Sequence, residues 1–401
     1  MAVVVSSLSD SGAGTLRQAI TDINAATATS PITFSVTGTI TLASALPAIN
    51  KNLTITGPGL SSLTISGNNL YQIFYLNLGF TISISGLTIS SGRNTTGTTA
   101  GAGIYNNQAN LTVDSCYFTN CYAGTGSAIY SVGGVSTTTV TNTSFVSNTA
   151  TASFGAGIYA AGGTFIIGNC TFSNNTGNGY ATNNAATTIY NCTFNGNTSG
   201  NAAAIYMANS GSSTILSSTI SGNTSTGSAG GVYLGEYCSL TLKNSIISGN
   251  TGVSYNDFRS YSNATIPISK VANIVGSAQG WVADVATSVT LSALASNGGT
   301  TQTMAVSAGS VAIGAGNAAA SNASPVSGLD QRGTTRSSTA PTIGAYEYVA
   351  TTPTFNFPTS PSTGQVYTFN GIIWVWNGIG WKKRLILPSQ DIFMSGNYGG
   401  L

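Results

Sequence analysis

Acid–base chemistry in this chain rests on nine carboxylates, because it contains no histidine. They are Asp10, Asp22, Asp114, Glu236, Asp257, Asp284, Asp330, Glu347 and Asp391. Glycosidic cleavage needs a pair of carboxyl groups about 5–10 Å apart. Only Asp114 and Glu236 fall within the regular repeats described below. They are about five repeats apart, or on the order of 24 Å at ordinary strand spacing. Within one chain they cannot act on the same bond. Asp257 near Arg259 reads as a loop ion pair, and Asp330 with Arg332 as a structural turn. No catalytic residue is assigned. Without histidine no Cys/His cluster can form, and the five cysteines match no zinc spacing. The sequence calls for no metal and no cofactor.

Binding chemistry is better represented. Tyr105, Tyr130, Tyr159, Tyr206 and Tyr233 each follow a β-branched residue in a short run. Side chains alternate across a strand, so an inward Ile104, Ile129, Ile158, Ile205 or Val232 sends its tyrosine outward. Such a row suits a ladder of stacked rings, a glycan contact or a subunit contact. Trp374, Trp376 and Trp381 suit the small core of a C-terminal sheet or its docking face. Asn148, Asn175, Asn197, Asn223 and Asn250 recur after a bend. Their amides are placed to hydrogen-bond along the axis as a ladder, with a ligand-binding row as the alternative. Cys170 and Cys192 occupy equivalent sites about 4.8 Å apart. They are expected to remain buried thiols, with a bridge as the alternative.

These residues are positioned by one phrase written six times. Its apolar centre falls at Phe118, Phe145, Phe172, Phe194, Ile220 and Ile247, a period of 22 to 27 residues. Weaker copies centre on Ile65 and Ile89. Leucine-rich repeats are excluded by the sparse Leu framework. Helical pairs are excluded because charged residues make up only 5% of the chain. Short runs of Thr, Ile, Val, Tyr and Phe cut by Gly, Asn and Ser predict an all-β fold, a parallel β-helix with three strands per coil. The six apolar centres form one internal stack. Asn120, Asn174, Gly196, Gly222 and Gly249 follow, as types that tolerate a left-handed bend.

This pattern resembles the right-handed parallel β-helix family shared by pectin-degrading enzymes, autotransported adhesins and phage tailspikes. The resemblance spans roughly residues 30–275 and speaks to fold rather than function. Residues 1–29 read as an N-terminal cap. Leu16, Ile20 and Ile23 lie at helical spacing, with Thr15 as the cap residue. The wording from Gly14 to Ile20 resembles the cap of bacterial surface β-helices, which makes Arg17 a cap residue. Residues 30–289 are the solenoid. Residues 290–350 are expected to be β-rich and to close it. Their phrases around Asn297-Gly298-Gly299, Asp330-Gln331-Arg332-Gly333 and Ile343-Gly344-Ala345 resemble the choice-of-anchor region of secreted bacterial β-helix proteins. Residues 351–401 read as a proline-marked linker and a three-stranded aromatic meander, with no clear element after Lys382. The stretch from Gly364 to Trp381 resembles a module of phage virion and tail-fibre proteins.

A net charge of +2 gives no electrostatic case for nucleic acid or an anionic membrane. No basic, apolar leader follows Met1, and no apolar run reaches membrane-spanning length. The resemblances imply a structural protein of a phage virion: a tail fibre, spike or similar appendage. It is expected to be a homo-oligomer, trimeric by analogy with tailspikes, in contact with other virion proteins. Contact with host surface polysaccharide is expected without cleavage. A bacterial surface or secreted adhesin is the alternative, and a polysaccharide lyase or hydrolase the third.

Overall fold

The structure is a computed structural model that describes residues 2–95, 100–209, 211–261, 268–279, 284–350, 357–369, 372–387 and 390–393. The chain divides into two compact units, residues 1–348 and 349–401.

The first unit is a parallel β-solenoid. Most coils contribute one strand to each of three sheets, so strands adjacent in the chain lie in different sheets, except that the first two, Ala2–Val5 and Thr29–Phe34, pair with each other. In the third coil, for example, Asn110–Asp114 lies in sheet 1 and Tyr117–Thr119 in sheet 2. Ile129–Val132 follows in sheet 3. Sheet 1 has eleven strands, sheet 2 ten and sheet 3 eight among the described residues. Every pairing within these sheets is parallel, and beyond the first, which shifts register between Ala2 and Val3, the register is unbroken, as in Leu111↔Thr138 and Val113↔Val140. Like stacks on like because the strands keep register while differences in coil length are taken up in the connections, and this fixes which side chain lies above which.

Alternation within each short strand supplies the core. Asn110–Asp114 buries Leu111 and Val113 and leaves its other residues at least partly exposed. Between strands the backbone turns inward or outward through residues at positive φ. These include Asn120, Asn174, Gly196, Gly222 and Gly249, at the bend after each sheet 2 strand. Close approach gives a second reason for glycine at Gly168, where a side chain would displace a neighbouring ring. A Cβ there would lie 2.1 Å from the Tyr190 ring of the next coil.

The first coil is covered by a helix, α1 (Leu16–Asn24), whose apolar face buries Leu16, Ala19, Ile20 and Ile23. The Thr15 hydroxyl caps it by accepting from the Gln18 N–H at 3.2 Å. Arg17 bonds Asp10 at 2.6 Å and the carbonyls of Ser44 and Ala45, which tie the cap to the chain that follows.

Residues 290–348 depart from expectation. They are not β-rich: the stretch holds isolated bridges and one short helix, α2 (Ala318–Asn322). Nor do they close the end of the solenoid. They run back along the outer face of sheet 2. Thr171, Thr193 and Thr219 are buried there beneath Gln302, Gln331 and Ala345. Ile246 and Ile274 face outward from sheet 2 and are buried beside Val306, Ala312 and Ile343. Arg336 fastens this segment. Its guanidinium donates to Asn191 Oδ1 and to the carbonyls of Leu329, Thr342 and Gly344.

The second unit is an antiparallel sheet of four strands rather than three: Val366–Phe369, Ile372–Trp376, Trp381–Leu387 and Gln390–Phe393. The two strands after Trp381 fall in the stretch where the sequence suggested no element. The basic run Lys382-Lys383-Arg384 masks the alternation there. The expected Asn370-Gly371 turn lies outside the described residues. No helix of the described residues is long and apolar enough to cross a membrane.

Candidate functional site

Sheet 3 carries the outward tyrosines. Its inward positions pair as Phe74, Ile104, Ile129, Ile158, Tyr180, Ile205, Val232 and Phe258. One residue later the outward row reads Tyr75, Tyr105, Tyr130, Tyr159, Ala181, Tyr206, Tyr233 and Arg259. The rings stack with centroids 5.0, 5.2 and 5.5 Å apart from Tyr75 to Tyr159. Tyr206 and Tyr233 stack at 5.2 Å. The break between the two groups has a local cause. The fifth coil places its tyrosine one residue early, so Tyr180 points inward and its hydroxyl meets Thr187 Oγ1 at 2.7 Å. Phe154 fills the gap beside Ala181, 6.4 Å from the Tyr159 ring and 5.4 Å from the Tyr206 ring.

This stacking decides what the row can do. Ring faces within each group are covered by their neighbours. Sugars stack on faces, so the interior of the row offers edges and hydroxyls only. Burial first, and then the neighbouring phenols, push the Tyr105, Tyr130 and Tyr206 hydroxyls above their ordinary range. They stay protonated as a line of hydrogen-bonding groups. Tyr75 was legible from Phe74-Tyr75-Leu76, which repeats the apolar–Tyr–apolar wording. Phe154 ends a further short strand, Thr149–Phe154, and left no such mark.

The internal residues form two lengthwise rows. Phe118, Phe145, Phe172 and Phe194 stack at 5.1, 4.6 and 4.5 Å, and Ile220 and Ile247 continue the register. All six are fully buried. The asparagines form the second row. Asn148, Asn175, Asn197 and Asn223 each donate Nδ2 to the next Oδ1 at 3.1, 2.8, 2.8 and 2.8 Å. Each backbone N–H donates to the same oxygen. With these partners filled, the buried amides have nothing to offer a ligand. The row ends on Asp257, whose Oδ1 accepts from Asn250 Nδ2 at 2.9 Å and from its N–H at 3.0 Å.

That contact corrects the reading of Asp257 as an ion-pair partner of Arg259. Asp257 is buried, and its second oxygen accepts from the Ser277 N–H at 2.9 Å. Arg259 instead donates to Ser228 Oγ. Burial raises the Asp257 carboxyl above the usual range, against the pull of its N–H donors.

The sequence reading missed another polar row. The backbone N–H groups of Cys116, Cys170, Cys192, Ser218 and Ser245 point one coil onward. They meet Thr143 Oγ1, Cys192 Sγ, Ser218 Oγ, Ser245 Oγ and Asn273 Oδ1. Asn273 donates in turn to Asp284, which pairs with Lys270 at 3.3 Å. Both rows thus send their N–H groups toward the C-terminal end and finish on a carboxylate. Their signal was faint because Thr, Cys, Ser and Asn share the position. All five cysteines are buried thiols. Burial pushes the Cys116 and Cys121 thiols up to about 12.

Most of the other carboxylates are engaged. Asp114 accepts from Thr141, Asn142 and Ser115, which lowers its carboxyl despite partial burial. Asp330 holds Arg332 at 2.6 Å and the Thr334 and Glu347 N–H groups, so it is a turn-former as expected. Glu347 accepts from the Ser337 and Thr342 N–H groups and faces Arg336. Among the described residues no three His, Cys, Asp or Glu side chains converge as a metal site. Three surface clefts are lined without a charged side chain. One runs over Gly133-Gly134, Gly162-Gly163 and Asn183-Asn184. A second lies between Ser144 and Gln302, and the third between Val289 and Ser307.

In the second unit Phe357 stacks on Trp381 at 4.7 Å and meets Trp374 edge-on at 5.4 Å. Trp376 lies 5.8 Å from Trp381. All three tryptophans remain half-buried.

A family described as the right handed beta helix region matches residues 133–286. No curated protein matches the chain. Among solved structures, the crystal structure of pectate lyase Pel9A is similar at 14% identity and a TM-score of 0.45. That similarity covers 83% of this chain and 90% of the other. The chain is thus similar to the right-handed β-helix family over the matched coils, and its fold is an all-β, right-handed parallel solenoid.

Proposed function

We propose that this protein is a structural component of a bacteriophage virion, a fibre, spike or similar appendage that contacts surface polysaccharide without cutting it. The observation that carries the reading is the tyrosine flank. Seven successive coils from Tyr75 to Tyr233 present one aligned row, interrupted once and plugged there by Phe154. The scaffold beneath is rigid, with a filled aromatic stack and a closed amide ladder. The non-cleaving half rests on the carboxylates: Asp114, Asp257, Asp330 and Glu347 are each committed to several protein donors. The virion half rests on the resemblance of the C-terminal aromatic module. By analogy with tailspikes the protein works as a homotrimer beside other virion proteins, with no cofactor.

Peptide mass spectrometry of purified phage particles tests the location. Incubation with capsular polysaccharide, followed by size-exclusion chromatography, tests the chemistry. The protein is expected in the particles, and the polysaccharide is expected to keep its length. Absence from particles together with shortened chains would establish the lyase or hydrolase alternative instead.

A further inference from the structure

The tyrosine row ends where rings stop covering one another. Beyond Tyr233 the next coil supplies Arg259, its guanidinium 5.8 Å from the Tyr233 ring centroid. Around this end lie Glu236, Tyr237 and Tyr261. Tyr237 is 83% exposed and Tyr261 43%, while every other described tyrosine is buried or half-buried. At 83% exposure the Tyr237 ring has open faces, which the interior of the row lacks, and Tyr261 is the next most exposed.

Tyr237 is also an odd choice for its position. It takes a left-handed conformation, with φ at +57°, in the connection from sheet 3 to sheet 1. The same connection in earlier coils uses Gly134, Gly163, Asn184 and Asn209, with Gln108 before them. Glycine or asparagine takes that conformation with less strain. The ring gains no burial in return. A strained, solvent-facing aromatic has no structural reason to be aromatic.

Glu236 is the third member. It is exposed and follows Leu234-Gly235, where the Tyr261 N–H of the next coil donates to the Leu234 carbonyl at 2.7 Å, and its charge pushes the Tyr261 hydroxyl up. Its free lone pairs suit a pair of sugar hydroxyls, as charge-assisted bonds. The same negative charge opposes a uronic acid. Arg259 keeps its charge, but its guanidinium is held against Ser228 and the Tyr233 ring.

Resting on the polysaccharide-contact reading above, we propose that Glu236, Tyr237 and Tyr261 form the saccharide subsite of this chain and that it takes an uncharged glycan. One or both tyrosine faces carry the pyranose ring, and Glu236 accepts from its hydroxyls.

The test uses the full chain and titration calorimetry. The probes are malto-, cello- and mannohexaose, with an oligogalacturonate as the acidic comparator. At least one neutral hexaose is expected to bind, and the oligogalacturonate is expected to bind more weakly. Tyr237→Ala and Glu236→Gln change exposed residues, so the fold is expected to persist. Each should weaken binding by about tenfold, the scale of one lost anchoring contact. Leu70→Ala, an exposed residue of an early coil outside the row, should leave the affinity within about twofold. Failure of all three neutral probes overturns the proposal, as does unchanged binding by Tyr237→Ala or a preference for the acidic probe. A virion protein that ignores neutral glycans loses this subsite but keeps its location. A chain that binds through Tyr237 but is absent from virions keeps the subsite and loses the location.

Discussion

Phe172 occupies the tightest part of the internal stack, 4.6 Å from Phe145 and 4.5 Å from Phe194. It lies between coils that cannot collapse independently, because each is tied in register to the next. Phe172→Ala should therefore leave a cavity and cost about 3–5 kcal/mol. Chemical denaturation followed by circular dichroism would measure this, and an unchanged midpoint would place the ring outside the core. Asp257 gives a pH-dependent counterpart. Its carboxyl is raised by burial, so the folded state holds the proton more readily than the unfolded chain. The sign follows: this contribution to stability is fully present below the ordinary carboxylate range and is lost as pH rises through the raised value. Asp257→Asn keeps an acceptor for Asn250 and removes the buried charge but sets its amide N–H groups against the Ser277 N–H, so at pH 7 it should fall between wild type and Asp257→Ala. Its stability should also vary less with pH across that window. Asp257→Ala leaves the Asn250 donors unpaired and should cost about 1–3 kcal/mol. Hydrogen exchange over residues 245–260 would separate the two variants. Equal protection in both would mean that Asp257 does not terminate the ladder.

At the scale of elements, the coils were legible and their clothing was not. Strand alternation and left-handed bends require particular residue types, so Phe118, Asn120 and Asn148 mark their places by identity alone. The segment 290–348 leaves no such marks. Its contacts to the solenoid join residues such as Thr193 and Gln331, 138 positions apart, through side chains common on any polar surface. The strand Trp381–Leu387 of the C-terminal sheet was hidden for a related reason, since its basic run carries no apolar alternation. The tyrosine row was visible, yet its break at Ala181 depends on a one-residue shift that only the register reveals. The clamp at Arg336 tests the docked segment. Burial lowers its guanidinium to about 10, with Asp330 and Glu347 pulling it back up, so it stays charged at neutral pH. Arg336→Ala removes the partner of a buried carboxylate, a change that costs about 3–5 kcal/mol in comparable sites. Limited proteolysis should then cut within 290–348 while the coils resist. Cleavage at the wild-type rate would show that the segment is held by other contacts.

For the whole molecule, the account joins a stiff solenoid to a flank built for contact. A chain with 5% charged residues keeps its surface polar through Ser, Thr, Asn and Gly, which leaves few like charges to oppose self-association. The half-buried tryptophans of the second unit fit the same picture, because a small sheet with an open aromatic face gains by being covered. Light scattering should give three times the 40.4 kDa chain mass. A concentration-independent monomer would remove the trimer. The central claim is the place of this protein in a phage particle, and quantitative mass spectrometry of gradient-purified virions tests it most directly. The account predicts peptides from both units at a constant ratio to the major structural proteins, in copy numbers divisible by three. Virions free of these peptides, with the protein recovered from the bacterial surface or culture medium, would contradict it.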